Sequence, residues 1–243
     1  MGTILVTGGT GNLGRPTVEQ LRAAGHEVRV LSRRTGPGLI TGDLNTGSGI
    51  SAAVGGADTI VHLATGLGRR DVQQTRNLLH ATPSTTRVMV MSIAGVDRIP
   101  LPYYRTKLEV ERLVAGSGTP YTILRATQFH TLLDRIFGAQ RFLPVLLAPD
   151  IPLQPIAVED VAVRLTELVA QPVNGRASDI GGPERRRVPD LARGWAAARG
   201  SRRLVVPLRV PGKTFRAYAS GAALVDGPSS GTITFADHCG SKA

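Results

Sequence analysis

The sequence predicts an α/β fold, a doubly wound parallel sheet with helices on both faces. Three observations lead there. Short apolar or β-branched runs alternate with amphipathic helical stretches over the first half of the chain. Those runs, such as TILVT, TIVHLA and RVMVMS, are apolar nearly throughout, as strands covered on both faces must be. The length of 243 residues and the 42% hydrophobic content suit one large α/β domain, or a domain with a small appendage, and a sizeable core.

In chain order, a strand over Thr3–Thr7 runs into a glycine-rich turn, and NLGRPTVEQLRAAG predicts a helix over Leu13–Ala24. Strands follow at Glu27–Ser32 and Leu39–Gly42, a short helix at Gly49–Val54, and a strand at Thr59–Ala64. A helix over Asp71–His80, a strand at Arg87–Ser92, a helix over Tyr103–Ala115 and a strand at Tyr121–Arg125 complete the alternation. Right-handed crossovers between such strands bring their carboxyl ends to one edge, where ligands bind. Beyond residue 126 prolines recur and separate shorter elements, among them Val158–Ala170 and Pro189–Arg199. The chain thus divides into a dinucleotide-type domain over 1–150 and a smaller region over 151–243 that forms a substrate pocket on the sheet edge. The apolar stretch Arg135–Gln154 reads equally as a pocket wall or as core, and the Gly/Ser-rich tail from Asp226 reads as partly mobile.

The formal charge of +11 comes from 26 arginines and three lysines, Lys107, Lys213 and Lys242. The arginines are scattered, and neither a zinc-ligand spacing nor an aromatic RNA-binding motif accompanies them, so a nucleic-acid partner and a metal are not expected. A solvated surface accounts for most of this charge, with a general attraction for anionic ligands beside it. No apolar run of about 18 residues suggests a membrane span, and the first strand begins too early for a signal peptide. The expectation is a cytoplasmic monomer or homodimer. Cys239, the single cysteine, cannot form an internal disulfide and reads as the thiol of a frayed tail.

The segment LVTGGTGNLGRP, residues 5–16, fits the fingerprint G-x-G-x-x-G through Gly9, Gly11 and Gly14, and its three-residue-spaced variant through Gly8, Gly11 and Gly14. Gly8 and Gly9 permit the tight strand-to-helix turn, Gly11 admits a pyrophosphate to the backbone, and Gly14 lets the helix pack on the sheet. With Thr10, the helix start at Asn12 and Leu13 offers free N–H groups to the phosphates. A strand before and an amphipathic helix after make this a Rossmann-type context. The end of the second strand then selects the cofactor. An NAD site carries an acid there for the ribose hydroxyls, whereas this chain has Ser32, Arg33 and Arg34. Two guanidinium groups suit a 2′-phosphate, so NADP(H) is the expected cofactor, with Arg15 able to add to the same pocket.

Tyr103 and Lys107 form Y-x-x-x-K. Four residues apart on a helix is one face, so phenol and ammonium can converge on one ligand. A nearby ammonium favours tyrosinate and makes the phenol a usable proton donor to a carbonyl receiving hydride. Lys107 is also within reach of the nicotinamide ribose. It is the one lysine before residue 213 in an arginine-rich chain, which hints at a specific role.

Taken together, TGGTGNLG (7–14), SRR (32–34), GDL (42–44), VHLAT (61–65), YYRTKLEVERLV (103–114), YTILRATQF (121–129) and PIAVEDVA (155–162) resemble the atypical short-chain dehydrogenase/reductases, close to the NmrA-like NAD(P)-binding proteins. The likeness covers residues 1 to about 165 in order. It implies that Asp43 and Leu44 lie against the adenine, and that Leu63, Ala64 and Thr65 line the path toward the nicotinamide ribose. It implies that Thr127, Gln128, Phe129 and His130 lie beside the nicotinamide, in the substrate pocket. It also implies a catalytic set of Tyr103, Lys107 and a hydroxyl residue, for which Ser92 at the end of a strand is the candidate. His130 is an alternative acid, and His62, inside a strand, reads as core. The leading expectation is an NADPH-dependent reductase acting on a carbonyl, quinone or enone of a mostly apolar small molecule. Two other readings stay open on these residues: a non-catalytic NADP(H)-binding redox sensor, and a cyclase or isomerase with no net redox change.

Overall fold

The computed structural model describes residues 2–66, 68–227 and 229–241. Its first half alternates as the apolar runs require: β1 (Thr3–Thr7), α1 (Gly14–Ala23), β2 (Glu27–Ser32), β3 (Leu39–Thr41), α2 (Ile50–Val54), β4 (Thr59–His62), α3 (Arg69–Ala81), β5 (Arg87–Ile93), α4 (Pro102–Ala115) and β6 (Tyr121–Ala126). With β9 (Gly175–Arg176) these strands form one seven-stranded sheet in the order β3-β2-β1-β4-β5-β6-β9. The pairs β1–β2, β1–β4, β2–β3, β4–β5 and β6–β9 are all parallel. Strand order therefore reverses beside β1, between β2 and β4. A doubly wound sheet opens its ligand crevice at such a switch point, outside the strands' carboxyl ends. The expected α/β, Rossmann-type class is the observed one.

Burial follows the same logic. Leu5 of β1 and Ile60 of β4 are register partners and share a core cluster with Leu31, Leu44, Ile50, Ala53, Val54 and Leu78. Their neighbours Ile4 and Val6 point to the opposite face and are equally buried, so both faces of the central strand are covered. A second cluster joins Val72 of α3, Val88 and Val90 of β5, and Val110 and Val114 of α4. Inside the same layer Arg125 makes a two-point ion pair with Glu111, Nε to Oε1 at 2.8 Å and Nη2 to Oε2 at 2.7 Å, with both side chains buried.

The remaining elements are α5 (His130–Ala139), β7 (Val145–Pro149), β8 (Pro152–Leu153), α6 (Val158–Ala170), β10 (Arg186–Arg187), α7 (Val188–Ala198), β11 (Leu204–Leu208), α8 (Lys213–Ala219) and α9 (Phe235–Gly240). β7 pairs with β11 in parallel and β8 with β10 antiparallel. By its contacts the chain forms two units that interleave along the sequence, where one passage near residue 150 was expected. The first holds 1–92, 102–125 and 161–178, and the second holds 93–101, 126–160 and 179–243.

The tail differs from the reading of its composition. Although 226–231 is rich in glycine and serine, Thr234 opens α9 with a capping box. Its hydroxyl accepts from the Asp237 N–H, and the Asp237 carboxylate accepts from the Thr234 backbone N–H. Phe235 then packs edge-on to His130, with ring centroids 5.5 Å apart, and Cys239 is 2% exposed. The thiol is therefore a buried core group rather than part of a frayed end. Two apolar residues with a capping signal outweigh the local composition.

Candidate functional site

The glycine turn leaving β1 is shaped by contact. Gly8 sits at φ +71°, and a Cβ there would stand 2.7 Å from the Ala64 nitrogen. A Cβ on Gly14 would meet the Gly8 carbonyl oxygen at 2.0 Å, so helix and strand approach as only glycine allows. Gly11 is different. A Cβ there would meet only the Gly8 oxygen, at 3.1 Å, and its other side is open. The protein's own packing hardly excludes a side chain at Gly11; a ligand approaching the backbone would. Helix α1 begins at Gly14 with no side-chain cap and no acid in its first turn, and Thr10, Gly11 and Asn12 are exposed at its head. This bare, electropositive helix start is the arrangement that holds a pyrophosphate.

At the end of β2 the Ser32 hydroxyl accepts the Arg34 N–H at 3.0 Å, folding the turn so that Arg33 and Arg34 both stand exposed. Neither has a carboxylate partner among the described residues. Arg15, by contrast, spends its Nε on the Thr10 carbonyl at 3.1 Å. Asp43 binds its own turn: Oδ1 accepts from the Asn45 N–H and side-chain amide, both at 2.9 Å. The Leu44 side chain is 7% exposed and packs in the core cluster.

Beyond β4, Leu63, Ala64 and Thr65 lead the chain toward α3. The exposed Thr65 hydroxyl donates to Asp71 Oδ2 at 2.8 Å and lies 3.3 Å from the Tyr103 hydroxyl. The Lys107 Nζ is 3.4 Å from the same Asp71 oxygen and 5.9 Å from the centre of the Tyr103 ring. Asp71 Oδ1 accepts the Gly66 N–H at 2.6 Å. Tyr103 and Lys107 therefore converge as one turn of α4 predicts, linked through Thr65 and through Asp71, 1% exposed in the first turn of α3. It escaped the sequence reading because an acid at a helix start reads as a cap, and no spacing ties residue 71 to residue 107.

Ser92 does not reach this cluster by any hydrogen bond. It is 4% exposed, and its Oγ has no partner among the described residues. The hydroxyl that meets Tyr103 is Thr65, which the resemblance had placed only along the cofactor path. His62 is core, as expected. Its Nδ1 accepts from the Thr7 hydroxyl at 2.7 Å and its Nε2 donates to Thr75 Oγ1 at 3.2 Å, since that hydroxyl already donates to the Asp71 carbonyl. Burial foremost, and then the Lys107 charge, hold its pKa down at about 4.

In the second unit, Thr127, Gln128 and His130 are buried and Phe129 is partly so. The Thr127 hydroxyl donates to the Gln154 carbonyl, and His130 Nε2 donates to the Pro155 carbonyl at 3.0 Å. Backbone bonds from Thr127 to Ile180 and from His130 to Ile156 hold the segment further. His130 is 1% exposed, and burial lowers its pKa to about 4. It is thus a neutral imidazole at neutral pH, and its one N–H proton is engaged by the Pro155 carbonyl. Among the described residues no group of acids, histidines and cysteine is placed to hold a metal, and no helix is long and apolar enough to cross a membrane.

A family model described as NAD(P)H-binding matches residues 8–172, about two thirds of the chain. The chain belongs to this NAD(P)H-binding family. The bovine epimerase family protein SDR39U1 is 32% identical over 121 residues, 44% of this chain and 40% of that protein. A 3-beta-hydroxysteroid dehydrogenase of Mycolicibacterium neoaurum is 33% identical over 160 residues, 49% of this chain and 44% of its own length. The match thus spans less than half the length of either relative. Among solved structures, the NADPH-dependent quinone oxidoreductase QOR2 of Escherichia coli, complexed with NADPH, superposes with a TM-score of 0.84 at 18% identity. That superposition covers 98% of this chain and 99% of QOR2. The NADP(H)-complexed triphenylmethane reductase of Citrobacter sp. gives 0.80 at 16% identity, over 99% of each chain. The fold is the one shared by these structures.

Proposed function

We propose that this NAD(P)H-binding protein is an NADPH-dependent reductase of a carbonyl, quinone or enone in a mostly apolar small molecule. The observation that carries this reading is the convergence of the Tyr103 hydroxyl, the Thr65 hydroxyl, the Asp71 carboxylate and the Lys107 ammonium within hydrogen-bond or ion-pair distance. A protein that only sensed the cofactor would need the glycine turn and the arginines, not a phenol in such a setting. The relatives named for dehydrogenase and reductase activities point the same way, with 18% identity or less for the structures.

The residues fit the cofactor on their own chemistry. Gly11 and the uncapped start of α1 would take the pyrophosphate, and the unpaired Arg33 and Arg34 would take the 2′-phosphate in preference to a bare hydroxyl. When bound, NADPH supplies the hydride. Tyr103 gives the proton to the substrate oxygen or carbon, Lys107 positions the ribose, and the orphan Ser92 Oγ is a candidate hydrogen-bond partner for the substrate oxygen. His130 is the weaker acid candidate, because burial keeps it neutral.

The test is NADPH oxidation followed with quinones, enones and ketones, alongside Tyr103→Phe. The expected result is turnover on at least one acceptor class that falls by roughly 10²–10⁴ in the variant, the usual share of a positioned acid, with NADPH affinity kept. Tight NADPH binding without turnover on any acceptor would instead support the redox-sensor reading.

A further inference from the structure

Three groups from two separate stretches, the Thr65 hydroxyl, the Gly66 N–H and the Lys107 ammonium, meet on one buried carboxylate, Asp71, and Tyr103 joins them through Thr65. Its position in the first turn of α3, near the positive end of the helix dipole, explains why an anion is tolerated there. It does not explain the partners. A cap satisfies backbone N–H groups, and Oδ1 does so at Gly66. Oδ2 instead faces a side-chain hydroxyl at 2.8 Å and an ammonium at 3.4 Å, the latter on another helix.

The direction of the hydrogen bonds follows from chemistry. An ionised carboxylate only accepts, so the single Thr65 hydroxyl proton goes to Asp71. The Tyr103 hydroxyl, 3.3 Å from the same oxygen, must then be the donor of its own contact. The phenolic proton is thereby aimed at Thr65, and the Lys107 ammonium is kept at Asp71, 5.9 Å from the phenol ring centre.

We propose that Asp71 is the positioning residue of this site: a buried carboxylate that holds Thr65 and Lys107 beside Tyr103 and so places the phenolic proton. The proposal rests on the reading of Tyr103 as the proton donor. When Tyr103 passes its proton to the substrate, the O–H bond of the phenol breaks and the bond to substrate forms. Thr65 lies 3.3 Å from the oxygen that becomes the phenolate, and the Lys107 ammonium lies 5.9 Å from the centre of its ring. Asp71 touches no reacting atom; it acts through these two side chains. Without it, the Thr65 proton is no longer held on a carboxylate, the Thr65 oxygen no longer keeps a fixed acceptor position for the phenolic proton, and Lys107 loses its fixed geometry.

Four single variants, Asp71→Asn, Thr65→Val, Thr65→Ser and Lys107→Ala, and the double variant of Asp71→Asn with Lys107→Ala test this, each measured for kcat, KM, solvent deuterium isotope effect, melting temperature and NADPH dissociation constant by fluorescence titration. In Asp71→Asn, kcat should fall about 10²-fold, within the range of a positioned proton transfer. KM should change less than about threefold, and the solvent isotope effect on kcat should grow as proton transfer becomes limiting. Thr65→Val should lower kcat about tenfold and Thr65→Ser should restore it, a rescue that packing alone does not produce. NADPH affinity should weaken about tenfold in Asp71→Asn, and Asp71→Asn with Lys107→Ala should be no worse than Lys107→Ala alone. That binding cycle reads the proposal even without turnover.

If Tyr103→Phe abolishes turnover while Asp71→Asn and Thr65→Val leave kcat and NADPH affinity unchanged, the reductase reading stands and Asp71 has no positioning role. If Tyr103→Phe leaves turnover intact, the proton-donor reading fails first, and an unchanged NADPH affinity in Asp71→Asn then overturns the proposal as well. Should Asp71→Asn fail to fold, Thr65→Val and its serine rescue decide alone: equal kcat in wild type, valine and serine variants overturns the proposal.

Discussion

Arg33 and Arg34 show how much a single position can carry. Both follow the strand end where an acid would bind ribose hydroxyls, both are exposed, and neither is neutralised by a carboxylate among the described residues. Two guanidinium groups without a carboxylate partner, beside a turn closed by Ser32, suit a phosphate dianion by charge. Replacing both with alanine should raise the NADPH dissociation constant roughly 10–100-fold, since a hydrogen bond to a charged group contributes about 1.5–3 kcal/mol. NADH binding should change less than about threefold. Equal weakening of the two cofactors, read by fluorescence titration, would remove the 2′-phosphate assignment. The place of Arg33 and Arg34 just past the strand end was legible in the sequence, because that position follows directly from locating the strand. Asp71 was not, because its role depends on Lys107 arriving from another helix.

At the scale of elements, α4 brings Lys107 and Tyr103 to the site and anchors itself below through Glu111. That carboxylate and Arg125 of β6 form a two-point pair with side-chain exposures of 8% and 6%. Such a pair adds little net stability over an apolar replacement, but removing one partner strands a buried charge. Glu111→Gln should therefore destabilise the fold by about 3–5 kcal/mol in denaturant unfolding. A loss under about 1 kcal/mol would mean that water reaches Arg125 more freely than its burial indicates. The sequence showed α4 by its helical period, yet the pair was invisible. An Arg inside a strand and a Glu on a helix, 14 residues apart, have no spacing that announces contact. The tail shows the reverse error: glycine and serine suggested mobility, while Thr234, Phe235 and Cys239 supply a cap and two buried anchors for α9.

Over the whole molecule, the buried histidines couple stability to pH. His62 and His130 are neutral in the fold, with pKa values pushed from 6.5 to about 4, mainly by burial. The unfolded chain binds a proton at each of them below about pH 6.5, and the folded chain does not until about pH 4. Stability is therefore full above about pH 6.5 and is lost as pH falls through that window, by up to about 3 kcal/mol for a fully buried group such as His62. His62→Gln should flatten the fall in melting temperature between pH 6.5 and 4 relative to wild type. Parallel curves for the two proteins would show that His62 carries none of the acid sensitivity.

The sequence by itself determined the strand and helix alternation, the parallel sheet, the glycine turn and the dinucleotide class. Each of these rests on local period, local backbone freedom or the residue at a strand end, and all are encoded within a few neighbouring positions. The tertiary structure alone decided that Thr65 meets the Tyr103 hydroxyl and that Ser92 makes no hydrogen bond to it. It likewise decided that Asp71 holds Lys107, that His130 is spent on a backbone carbonyl, and that Leu44 belongs to the core. These are long-range choices, set by which side chains the packed helices and strands bring together, and a hydrogen bond forms only within about 3 Å.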